Sequence, residues 1–92
     1  LVIIAKNAIR AGGKILPLIK NLAIKELEII ARNPYRAPQL TGKFSFLRSW
    51  HVYFKGVPYR IIFEIEASTK RVFVHLIAKR ADVYKLLDRL FR

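Results

Sequence analysis

Ninety-two residues make one domain, taken as residues 1–92; 53% of them are hydrophobic, which excludes a disordered chain, and the absence of cysteine excludes disulfides and thiolate metal sites. Eighteen Lys and Arg residues against 6 acidic ones give a formal charge of +12. That imbalance reports on partners rather than fold, and it implies an anionic one: RNA, DNA, a membrane surface or an acidic protein.

In chain order, LVIIA (residues 1–5) is a β-branched run before the polar Lys6-Asn7 and reads as a first strand. A helix over Asn7–Leu16 is short or broken, because Gly12 and Gly13 inside it cost about 1 kcal/mol each relative to Ala. Pro17 stands where proline is tolerated, at the first position of a second helix. There Leu18, Ile19, Leu22, Ala23, Leu27 and Ile30 recur at threes and fours, and Asn33-Pro34 stops the helix near Arg32. PYRAPQLTGK (34–43) has two prolines, a glycine and no periodicity, so it connects helices to sheet. Three strands follow, near 46–54, 58–66 and 71–78, joined by KGVP and ASTK. RADVYKLLDRLFR places Val83, Leu86, Leu87 and Leu90 at helical spacing, and this short C-terminal helix should cap the sheet.

The expected fold is α+β: a small, mainly antiparallel sheet in the order β-α-α-β-β-β-α, with the helices mostly on one face. No apolar run approaches the roughly 20 residues a membrane-spanning helix needs. No signal-peptide pattern is visible, and a cytoplasmic location is expected.

WHVYFKGVPYRIIFEIE (50–66) is a hairpin. A two-residue loop at Gly56-Val57 pairs Tyr53 with Arg60 and Val52 with Ile61. Alternation then sets Trp50, Val52, Phe54, Tyr59, Ile61, Phe63 and Ile65 on a core face, and His51, Tyr53 and Arg60 on the other. Lys79 and Arg80 leave the last strand, with Tyr84 one helical turn on. If that strand neighbours 58–66, Arg80 approaches Arg60, and a phosphate between them matches both guanidinium forks. The competing reading pairs each arginine separately with Glu64, Glu66 or Asp82. Metal chemistry lacks ligands, since His51 and His75 lie on different strands. Glu26 and Glu28 point to different sides of a helix, and Ser45, Ser49, Ser68, Thr41 and Thr69 lack a nucleophile elbow. His75, in VFVHLI, reads as a hydrogen-bonded sheet histidine. On the face shared with Tyr53 and Arg60, His51 is the one side chain that titrates near neutrality without perturbation.

NPY, QLTGK, the VPYRIIFEIE strand and the AKRADVY exit, in this order after an opening strand and a helical hairpin, resemble the RelE/ParE superfamily of toxins. The resemblance covers nearly all of the chain. It implies a toxin neutralised by an acidic antitoxin, whose nuclease branch cuts messenger RNA at the ribosome without metal or cofactor, or whose gyrase-inhibiting branch keeps the fold without the nuclease set. In the nuclease branch the arginine after the turn corresponds to Arg60, the one leaving the last strand to Arg80, and a base-stacking aromatic residue to Tyr84. Where the family's lysines stand before the turn, this chain has His51 and Tyr53. Catalysis is therefore expected from Arg60, Arg80, His51 and Tyr84, and RNA contacts from Tyr53, Lys55, Lys79, Lys43 and Arg48, with the antitoxin, messenger RNA and the ribosome as partners and no membrane.

Overall fold

A computed structural model describes residues 2–5 and 17–91, with side chains from Ile24 onward. The helix expected over Asn7–Leu16 lies outside these residues. Strand β1 spans Val2–Ala5, helix α1 Pro17–Arg32, strands β2, β3 and β4 Arg48–Phe54, Val57–Glu66 and Arg71–Lys79, and helix α2 Val83–Leu90. Short 3-10 turns occupy Pro34–Arg36, Gly42–Phe44 and Arg80–Asp82. The sheet order is β1-β4-β3-β2, with β1 parallel to β4 and the other pairs antiparallel. Each strand and α1 fall within two residues of their expected bounds, while α2 starts three residues into the RADVYKLLDRLFR segment, after the Arg80–Asp82 turn.

The hairpin register departs from expectation. Phe54 pairs with Val57, so the loop is Lys55-Gly56, and His51 rather than Tyr53 stands opposite Arg60. Lys55 and Gly56 both have positive φ, 49° and 78°. That is the combination a type I′ turn requires, and its twist matches the flanking strands. The pairing moves by an even number of positions, so every side chain keeps its expected face.

The sheet is covered on both faces. On one, Ile30 of α1 packs with Val52, Ile61, Phe63, Val72, Val74 and Ile77, flanked by the half-buried Leu27, Trp50, Tyr59 and Ile65. On the other, Val83 and Leu87 of α2 pack with Phe44, Leu47, Ile62, Leu76 and Ala78. The two described helices thus lie on opposite faces of the sheet, α1 on one and the short C-terminal α2 on the other. Ile61, Ile62 and Phe63, all fully buried, explain it: a strand with three consecutive apolar residues needs cover on both sides. Val74 pairs with Phe63 and Leu76 with Ile62, leaving His75 as the extra residue of a β-bulge. The bulge brings Leu76 and Ala78 to the α2 side. Leu90, placed with the apolar stripe of α2 by spacing, is 47% exposed.

Candidate functional site

Strand alternation and the corrected register put Ser49 and His51 of β2 beside Arg60 of β3, on the α2 face of the sheet. One Arg60 guanidinium nitrogen, Nη1, donates to Ser49 Oγ at 3.3 Å and to His51 Nε2. A guanidinium only donates, so His51 Nε2 is the acceptor and the ring proton resides on Nδ1. Arg80 enters from the 3-10 turn after β4 and Tyr84 from the first turn of α2. With Ser49, Leu40 and Val83 they line a cleft of about 520 Å³ that also contains Arg60.

The electrostatics of this cleft are one-sided. Burial, then the charges of Arg60 and Arg80, hold His51 below its ordinary pKa of 6.5, so the imidazole is neutral at pH 7. All six acidic residues are described, and none forms an ion pair with Arg60 or Arg80. Glu64 meets His75 at 3.1 Å, Asp88 meets Lys43 at 2.7 Å, Glu66 accepts from Thr69 and Glu26 from Trp50. The separate pairing of the arginines with Glu64, Glu66 or Asp82 does not occur. Two guanidinium groups sharing a cleft without a carboxylate repel each other and gain from an anion between them, and the planar fork suits a phosphate. Tyr84 rests its ring against Phe44, centroids 6.3 Å apart, and keeps 51% of its surface exposed for stacking.

No family model matches the sequence, and no curated protein is significantly similar to it. Solved structures are similar. A free RelE toxin of E. coli carrying two arginine-to-alanine substitutions superimposes with a TM-score of 0.73 at 18% identity, over 99% of this chain and 97% of that one. A chain of the RelBE2 toxin–antitoxin complex of Mycobacterium tuberculosis gives 0.69 at 20% identity, over 86% and 96%. The same E. coli double mutant bound to an antitoxin RelBc peptide gives 0.67 at 19% identity, over 91% and 90%. The fold is that of the RelE toxins.

The RelE-like sheet gathers Arg60, Arg80 and Tyr84 around one cleft, with His51 joined to its rim through Arg60, and Tyr53, 71% exposed, continues the same face of β2 beyond His51. It disperses the other expected contacts. Lys79 pairs with Tyr59, whose ring packs on the α1 side, so Lys79 emerges from the face opposite Arg60. Arg48 also belongs to that face: it donates to the carbonyls of Tyr35 (3.2 Å) and Ala37 (2.8 Å) and lies 5.3 Å from the Tyr35 ring centre. Lys43 is bound to Asp88 at 2.7 Å, and Lys55 sits at the hairpin tip over Phe54. Ser49, 2% exposed, was legible only as a serine without a nucleophile elbow, yet its hydroxyl positions Arg60. Its place two residues before His51 on a strand was the available signal. Among the described residues no group of three or more His, Asp or Glu could hold a metal, and no helix is long and apolar enough to cross a membrane.

Proposed function

We propose that this chain is the toxin of a toxin–antitoxin pair and that its cleft cleaves messenger RNA at the ribosome, without metal, by attack of the neighbouring 2′-hydroxyl. The observation that carries the reading is the pair of carboxylate-free arginines around a neutral histidine. A scissile phosphate entering the cleft draws the Arg60 fork to its oxygens, which releases His51 Nε2 to accept the 2′-hydroxyl proton. The 2′-oxygen then bonds to phosphorus as the bond to the 5′-oxygen breaks. Arg60 and Arg80 stabilise the charge on the non-bridging oxygens, and the departing 5′-oxygen takes a proton from water or from the Tyr84 hydroxyl. The products are a 2′,3′-cyclic phosphate and a 5′-hydroxyl. Tyr84, and Tyr53 further along the face, hold bases by stacking.

The RelE-like fold and the net charge of +12 support an acidic antitoxin, which would lie over this cationic surface and screen it from RNA. The ribosome as workplace implies a cytoplasmic location. The chemistry is tested with ribosome-bound messenger RNA carrying one 2′-deoxy sugar at a mapped cleavage position. The proposal expects cleavage of the all-ribose message, with cyclic phosphate ends, and an intact deoxy position. Cleavage at the deoxy sugar overturns the mechanism, and inhibition of purified gyrase with intact RNA moves the protein to the gyrase-inhibiting branch.

A further inference from the structure

A second, smaller groove of about 230 Å³ adjoins the cleft on the far side of His51, lined by Arg36, Ala37, Pro38, Ser49, Trp50 and His51. Ser49 lines both hollows, so the two meet along the Ser49–His51 stretch of β2. We propose that this groove is a nucleotide subsite: it receives the nucleotide on the opposite side of the scissile phosphate from the base stacked at Tyr84, and Arg36 contacts that nucleotide's outer phosphate. The inference rests on the RNA-cleavage reading and extends the substrate from one phosphodiester to a strand crossing β2.

Three features make the groove a built site. The Pro34–Arg36 turn that displays Arg36 is clamped from below: the Arg48 guanidinium holds the carbonyls on either side of it, Tyr35 O and Ala37 O, at 3.2 and 2.8 Å. Ser49 N donates to Pro38 O at 2.9 Å, and Ala37 is 1% exposed, so the wall is stitched to the edge of the sheet. Arg36 itself is exposed and forms no ion pair with any of the six acidic residues, which leaves its charge available to an anion. Trp50 turns its ring to the α1 side, where its indole donates to Glu26 at 2.7 Å, and this fixes the β2 backbone at the groove's edge. An exposed, unpaired guanidinium at a fixed distance from the cleft is suited to a second phosphate of a single strand. Arg48 is thereby a positioning residue for Arg36 rather than an RNA contact.

The test uses uncleavable 2′-O-methyl RNA oligonucleotides, a dinucleotide and a tetranucleotide, with binding to the wild type and to Arg36→Ala followed by anisotropy and by the His51 ring signals. The expected result is a roughly tenfold weaker tetranucleotide affinity for Arg36→Ala, an unchanged dinucleotide affinity, and a shallower salt dependence by about 0.7 in log–log slope. Equal tetranucleotide affinities with His51 signals still shifting overturn the subsite and leave the cleavage site standing. Absence of any His51 shift in the wild type, with either oligonucleotide, overturns both. Arg36→Lys should recover the salt slope while recovering only part of the affinity.

Discussion

An Arg60→Ala substitution removes the group that touches both Ser49 and His51, and its effects on stability, acidity and catalysis differ enough in size to be separated. In the fold, one buried hydroxyl loses its charged donor; an unpaired buried polar group costs about 1–3 kcal/mol. Ser49 adjoins an open cleft that admits water, so the loss stays at the low end, about 1 kcal/mol, or roughly 4–8 °C in Tm for a domain of this size. Acidity changes too. His51 is held down first by burial, then by Arg60 and Arg80, so alanine at position 60 lets its pKa rise toward 6.5 without reaching it. The sign follows: with a lowered folded pKa, the unfolded chain binds more protons. The residue's share of stability is therefore fully present above pH 6.5 and is lost as pH falls through the folded value. Arg60→Ala narrows that window from below. In catalysis the loss is far larger, about 10²–10³ in rate, as for removal of one donor to a developing oxyanion. Cleavage of ribosome-bound messenger RNA, thermal melting and an NMR titration of the His51 ring read the three quantities. Cleavage by Arg60→Ala at the wild-type rate, or an unmoved His51 pKa, refutes the reasoning.

Arg48→Ala should lower stability by about 2 kcal/mol, because two charge-assisted bonds to the Tyr35 and Ala37 carbonyls are lost; urea denaturation measures it. Leu87→Ala removes a fully buried side chain beneath α2 and should cost about 2–5 kcal/mol, with amide exchange in α2 accelerating before that of β3. Gly56→Ala places a side chain at φ +78° and should destabilise the hairpin by about 1–2 kcal/mol, seen as a lower denaturation midpoint at unchanged slope. Cleavage should persist in EDTA with ribosomes held intact by polyamine, and its abolition there would contradict a metal-free mechanism.

Much of the element order was legible because each segment carries its own punctuation: Pro17 to open α1, Asn33-Pro34 to close it, and turn residues between the strands. Alternation gave the faces of β2 and β3, including the placement of His51 and Arg60 together. What escaped was set by tertiary partners. A left-handed Lys55 is not something a lysine announces, so pattern alone sets the turn one residue late. The second core was signalled by Ile61-Ile62-Phe63, but which helix covers which face depends on the bulge at His75, a property of the β3–β4 pair. Among the site residues, the ones carried by the YRII strand and the KR exit converge on the cleft. Those nominated for charge alone do not: Lys79 falls on the wrong face, and Arg48 and Lys43 are engaged within the fold. Ser49 escapes a reading of the sequence because its contact with the Arg60 guanidinium joins residues distant in sequence, as does the Arg48 clamp on the carbonyls around Arg36.

The most direct measurement is brief induction of the wild type and of Arg80→Ala in cells, with new messenger RNA 5′ ends mapped across the transcriptome within minutes. New 5′-hydroxyl ends inside translated frames are expected for the wild type and lost for Arg80→Ala, while both proteins bind the antitoxin equally. Growth arrest by the wild type without new ends, or identical ends from Arg80→Ala, would rule out cleavage at the arginine cleft.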